Sequence, residues 1–102
     1  MKKLDLDSLT MLVAVADSGS FAAGAMQVHR SPSAVSMQIK GLETLLGKAL
    51  FVRDTRNLEL TAEGHTLLGY ARQMLALRDE AFAEITRPEV KGRVSIGVPD
   101  DY

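Results

Sequence analysis

Ser31-Pro32 separates two stretches of helical apolar period, and no other dipeptide restricts this chain so much. Proline lacks a backbone N–H and its ring clashes inside a helix, so it is accommodated only in the first turn. The segment before it must therefore end ahead of Pro32, and Ser31 falls at the N-cap, where its hydroxyl can accept from a first-turn amide. Beyond the break, Val35, Ile39, Leu42 and Leu46 recur at spacings of four, three and four, which predicts one core face. Gly47 supplies the stop.

Upstream, Leu9, Leu12, Val13 and Ala16 predict a first helix from about Asp7 or Ser8 to Ser18, closed by Gly19. Ser20 can cap a second, two-turn helix over Phe21 to Val28. Its small residues Ala22, Ala23, Gly24 and Ala25 suit the close crossing of a helix-turn-helix, though alanine is also simply a good helix former.

Downstream, Leu50-Phe51-Val52-Arg53 and Leu58-Glu59-Leu60 flank the polar Asp54-Thr55-Arg56-Asn57, a pattern of two short strands around a turn. Thr61 can cap a last helix that meets no proline until Pro88, about 26 residues or roughly 39 Å. Along it Leu67, Ala71, Met74, Ala81 and Ile85 keep helical spacing, with Leu68, Leu75 and Phe82 seven apart beside them. So wide a stripe on so small a domain predicts self-association through these eight residues. After Pro88 the period changes to that of a linker entering a strand, and a lone strand is unstable. A further domain is expected to follow.

Composition narrows the function classes. At 102 residues with 46% hydrophobic residues, one small domain with a marginal core is expected, helped by a partner. The absence of cysteine excludes a disulfide framework and any thiolate metal site, and His29 and His65 belong to no ligand cluster. No secretory leader or membrane-length apolar run is legible, which makes a soluble cytoplasmic protein the expectation. No nucleophile elbow, phosphate-cradling loop or metal-type carboxylate cluster is present, so no enzyme is expected.

The net charge of −1 does not suit a protein that coats nucleic acid over its whole surface. From 20 to 60, however, five basic residues stand against three acidic ones. The side of the Pro32 helix opposite its core carries Ser33, Ser36, Met37 and Lys40, short, polar or flexible side chains able to meet base edges or phosphates. A helix N-terminus adds unpaired amides and a positive dipole end beside Ser31 and Ser33. Arg53 and Arg56 on the hairpin could follow a phosphate backbone or enter a minor groove. Each residue also has a plainer account: Ser31 as a cap only, Ser33 as simple exposure, Met37 as core filling, the arginines as a solvated turn.

Taken in order, several stretches carry a family likeness: Leu12 to Ala16 leading to Gly19-Ser20-Phe21, Ser31 with Ser33-Ala34-Val35-Ser36, Gln38-Ile39, Leu42-Glu43, Leu46-Gly47, Leu50-Phe51, Arg53, and Leu60 to Gly64. Together they resemble the N-terminal part of LysR-type transcriptional regulators, over about Leu6 to Val98. The resemblance implies a mainly α winged helix-turn-helix, three helices plus a two-stranded β wing, followed by a long linker helix that pairs with its twin. It implies that residues 1–61 form the DNA-binding domain, 62–87 the dimerisation helix, and 88–102 a hinge into an effector-binding domain.

The same resemblance implies sequence-specific binding of double-stranded DNA by a homodimer at an imperfect inverted repeat, with a tetramer open at full length. No cofactor is expected in this segment, and a small effector would bind the C-terminal domain. Positions matching the family pattern make Ser31, Pro32, Ser33, Ser36, Gln38, Arg53 and Arg56 the expected DNA contacts, to which the residues themselves add Arg30, Met37 and Lys40. Pro32-Ser33 stands where the family often has glutamine then proline, and Gly41 where a basic residue is common. The rival reading is a winged protein-interaction module with a coiled-coil helix and no role on DNA.

Overall fold

The computed structural model describes residues 4–52 and 57–88. Within them the chain runs α1 (Leu6–Ser18), α2 (Phe21–Gln27), α3 (Pro32–Leu46), β1 (Phe51–Val52), β2 (Glu59–Leu60) and α4 (Ala62–Thr86). Every helix starts on a short polar side chain that accepts from its first turn: Asp5 from Ser8, Ser20 from Ala23, Ser31 from Ala34 and Thr61 from Gly64. Because Asp5 is the first of these caps, α1 begins at Leu6, slightly ahead of the expected Asp7 or Ser8. Gly19 and Gly47 end α1 and α3 at φ 89° and 70°, a left-handed region in which a Cβ would crowd the backbone. His29 also adopts positive φ, 58°, where it turns the chain between α2 and α3. The Arg30 N–H closes that turn by donating to the Ala25 carbonyl at 3.0 Å.

Helix α1 packs against α2, α3 and α4 together. It therefore buries Leu9, Met11, Leu12, Ala14 and Val15, a wider face than its apolar period indicates, while Val13 and Ala16 are only half-buried. Ala25, Val35, Ile39, Leu42, Leu50, Phe51 and Ala71 complete the core. The Phe21 and Phe51 rings meet edge to face, centroids 5.3 Å apart, and tie α2 to the wing. The α1–α2 crossing needs Gly24: a Cβ there would lie 2.8 Å from the Val15 Cα.

Two expectations about apolar residues are corrected. Leu46, the last helical residue before the Gly47 cap, is 41% exposed instead of continuing the core face. Ala71, expected in the self-association stripe, is wholly buried within its own chain, where α4 crosses α1. Leu67, Leu68 and Met74 also pack on that core and are half-buried. The domain thus covers the first half of the α4 stripe and leaves the second half bare.

The wing pairs Phe51 with Leu60 and Val52 with Glu59 in antiparallel register. Its root is held by groups outside the ladder. The Glu43 carboxylate accepts from the Leu50 and Phe51 amides at 2.8 and 3.4 Å, while Thr61 donates its N–H to the Leu50 carbonyl at 2.9 Å and its hydroxyl to the Ala49 carbonyl at 2.6 Å. One threonine thus both anchors β2 and starts α4.

Arg72 ties α4 to α1, donating from both terminal nitrogens to the two oxygens of Asp17 at 2.6 and 3.1 Å. These hydrogen bonds hold the Asp17 carboxyl below its ordinary range against the opposing cost of desolvation, and the guanidinium charge assists them. From Ala76 onward α4 is exposed, including Leu77, Ala81, Phe82 and Ile85. No described helix is long and apolar enough to cross a membrane.

Candidate nucleic-acid interface

The first turns of α3 present two different sides because the sequence there obeys a helical period. Val35, Ile39 and Leu42 turn inward and are buried, so Ser33, Met37 and Lys40 turn outward and are exposed. Met37 is 71% exposed, which excludes it from the core and leaves it available for apolar contact. Ser36 and Gln38 flank this side and are half-buried.

At the start of the helix, the Ser31 hydroxyl accepts from the Ala34 amide at 3.1 Å and lies 3.3 Å from the Ser33 hydroxyl. A hydroxyl has one proton and two lone pairs, so capping leaves capacity for an outside group. Pro32 occupies the first helical position and is exposed. The first-turn amides lie beyond the helical ladder and, with the dipole, favour an anion here. Ser31, Pro32, Ser33, Met37 and Lys40 therefore form one outward surface, with Ser36 and Gln38 at its edge.

Arg30 precedes this surface and is not free. Its two terminal nitrogens donate to the two oxygens of Asp7 at 3.3 and 3.4 Å, and Gln38 donates from Nε2 to Asp7 Oδ2 at 3.4 Å. Asp7 is thus part of the surface although sequence reasoning passed over it. It lies 23 residues from Arg30 and 31 from Gln38, separations that no local periodicity reports. The available signal was its place in the first turn of a helix that had to pack beside α3.

Arg53 and Arg56, the expected wing contacts, lie outside the described residues, as do 89–102 with the expected hinge and strand. His65 is exposed in the first turns of α4 and joins no other candidate. Among the described residues no group of three or more His, Asp or Glu is placed to hold a metal ion. The α3 surface offers hydroxyls, an amide, a thioether and cations around a helix N-terminus, a set that can hydrogen-bond phosphate oxygens and base edges.

Comparison with known proteins agrees with this architecture. The family model for bacterial regulatory helix-turn-helix proteins of the lysR family matches residues 6–65. The regulator PecT of Dickeya dadantii is 50% identical over 98 residues, 96% of this chain and 31% of its own length. DgdR of Burkholderia cepacia is 36% identical over 101 residues, 99% of this chain and 34% of its own. The chain thus spans about a third of the length of these curated relatives.

Among solved structures, the DNA-binding domain of BenM in complex with catB site 1 DNA superposes with a TM-score of 0.79 at 32% identity, covering 82% of this chain and 93% of that one. The CbnR DNA-binding domain in its DNA complex gives 0.75 at 35% identity, covering 80% and 94%. The matched residues 6–65 contain the three capped helices, the wing strands and the start of α4. By that match and by its likeness to these regulators, the chain belongs to the lysR family of bacterial regulatory helix-turn-helix proteins.

Proposed function

We propose that this segment is the sequence-specific DNA-binding part of a transcriptional regulator, that it acts as a homodimer, and that it performs no chemistry of its own. The observation that carries the reading is the division of α3, with Val35, Ile39 and Leu42 anchored in the core and Ser33, Met37 and Lys40 projecting from the same turns. That arrangement lets the N-terminal half of α3 enter a major groove. BenM and CbnR domains of this shape have been solved as DNA complexes, which supports carrying the mode over.

Ser31 and the first-turn amides would grip phosphate, and Ser33, Ser36, Met37 and Gln38 would face base edges. Lys40, with Arg53 and Arg56 of the wing, would follow the backbone. The bare distal half of α4 would pair with its twin and set the spacing of two half-sites. Beyond this segment, a small effector bound by a C-terminal domain would bias that spacing.

Selection of bound sites from random duplexes, using residues 1–102, tests the reading. Enrichment of a motif with two-fold symmetry is the expected result. If no duplex is retained even at low ionic strength, where phosphate contacts are strongest, the reading fails.

A further inference from the structure

We propose that Asp7 is an intramolecular competitor for DNA: its carboxylate occupies the Arg30 guanidinium and the Gln38 amide in the free protein and must release them when the α3 surface docks. The inference rests on the DNA-binding reading above and adds to it a residue of opposite charge that sets affinity.

The contacts themselves resemble those a phosphate would make. Arg30 presents both terminal nitrogens to separate oxygens of one anion, the fork geometry by which guanidinium groups take carboxylates and phosphates alike. Gln38 donates to Oδ2 of the same carboxylate from a position on the reading helix itself. Asp7 therefore reaches from α1 to both sides of the Ser31-Pro32 start.

The latch is built to open. Its three hydrogen bonds, at 3.3 to 3.4 Å, are long, and the Arg30 and Asp7 side chains are 45% and 52% exposed. Exposed pairs of this kind are weak, so a phosphate entering beside the helix N-terminus can displace the carboxylate. Asp17 and Arg72 offer a contrast, with their shortest contact at 2.6 Å.

Release has a cost that DNA must meet each time it binds, whatever its sequence. While Asp7 holds Gln38 Nε2, one of the amide's two N–H groups is taken and the side chain is tied to α1, which restricts how its remaining N–H and its carbonyl oxygen can meet an adenine edge. Asp7 accordingly lowers affinity for random DNA and raises the threshold for a productive site.

The test is a cycle of four proteins: the unsubstituted chain, Asp7→Asn, Arg30→Ala and the double variant, titrated against a random duplex and the selected site at several salt concentrations. Asp7→Asn is expected to tighten binding to random duplex about two- to fivefold, the release of one exposed pair. That gain should shrink on the Arg30→Ala background, where only the Gln38 contact is left to release. Asp7→Ser, which shortens the side chain beyond reach of Arg30, should reproduce it.

An equal gain on both backgrounds would mean that Asp7 acts only through its charge at a distance, and it overturns the proposal. Unchanged or weaker binding by Asp7→Asn also overturns it, because the carboxylate would then be indifferent or would hold Arg30 ready for DNA. A chain that binds no duplex at all in its unsubstituted form refutes the DNA-binding reading first, and is thereby distinct from either result.

Discussion

Gly64 sits so close to Leu50 that a Cβ on it would overlap the Leu50 carbonyl oxygen and lie 2.9 Å from Leu60 Cδ2. That same carbonyl accepts the Thr61 N–H, so the root of the wing and the first turn of α4 share one backbone group. The junction between domain and long helix is set there. Gly64→Ala is expected to destabilise the fold by about 1–3 kcal/mol, the usual range for overpacking where backbone must move. Urea denaturation followed by circular dichroism measures this, and a loss within about 0.5 kcal/mol, the scatter of neutral surface changes, would show that the junction yields freely.

Gly41 is the opposite case. It lies inside α3 with nothing within 4 Å of an added Cβ and without positive φ, so it carries only the helical penalty of glycine. Gly41→Ala should stabilise by about 0.5–1 kcal/mol. A lower denaturation midpoint in the variant would mean that the glycine answers a packing need.

The Asp17–Arg72 clamp predicts a pH dependence with a definite sign. Asp17 has a lowered pKa in the folded state, because Arg72 hydrogen-bonds its charged form. Its contribution is therefore present above the unfolded carboxylate range, near pH 4, and is lost as pH falls through the lower folded value. Since both side chains are about half exposed, the effect should stay below about 1 kcal/mol. Thermal melts of the unsubstituted chain and Arg72→Gln should differ at pH 7 and converge towards pH 2. A difference that persists undiminished in acid would remove Asp17 as its source.

The distal half of α4 predicts association. Leu77, Phe82 and Ile85 are 63%, 71% and 83% exposed, an apolar series that a monomer would leave in water. Phe82→Glu with Ile85→Glu should shift sedimentation from dimer to monomer. The melting of the winged domain should stay close to that of a monomer, since neither residue touches its core. If the unsubstituted chain already sediments as a monomer at high concentration, some other surface joins the copies.

Lys40 and Ser33 should separate by kind of effect. Lys40→Ala is expected to weaken binding about equally on all duplexes and to flatten the salt dependence by roughly one phosphate, a slope change near 0.9. Ser33→Ala should alter preference at one base step and leave the slope alone. Competition titrations at three salt concentrations distinguish the two, and exchanged behaviour would reverse the assignments.

Local chemistry explains why so much was legible in advance. Ser20, Ser31 and Thr61 as caps, Gly19 and Gly47 as stops, and Pro32 as a first helical residue each act within one turn of themselves, so the chain states them directly. The inward face Val35, Ile39 and Leu42 follows from period alone, and with it the outward Ser33, Met37 and Lys40. The two strands of the wing were legible from the apolar residues that flank a polar turn, although each is only two residues long.

Tertiary structure decided what depends on neighbours distant in sequence. Periodicity marks Ala71 and Phe82 alike as apolar stripe, but the proximity of α1 buries the first and leaves the second bare. Charge counting treats Asp7, Asp17 and Glu43 alike as acids, yet one faces Arg30 and Gln38, one clamps Arg72, and one receives strand amides. A sequence determines the elements because propensity, capping and apolar period act over a few residues. Partners are chosen only when those elements pack, since a contact between positions 7 and 30 exists nowhere but in three dimensions.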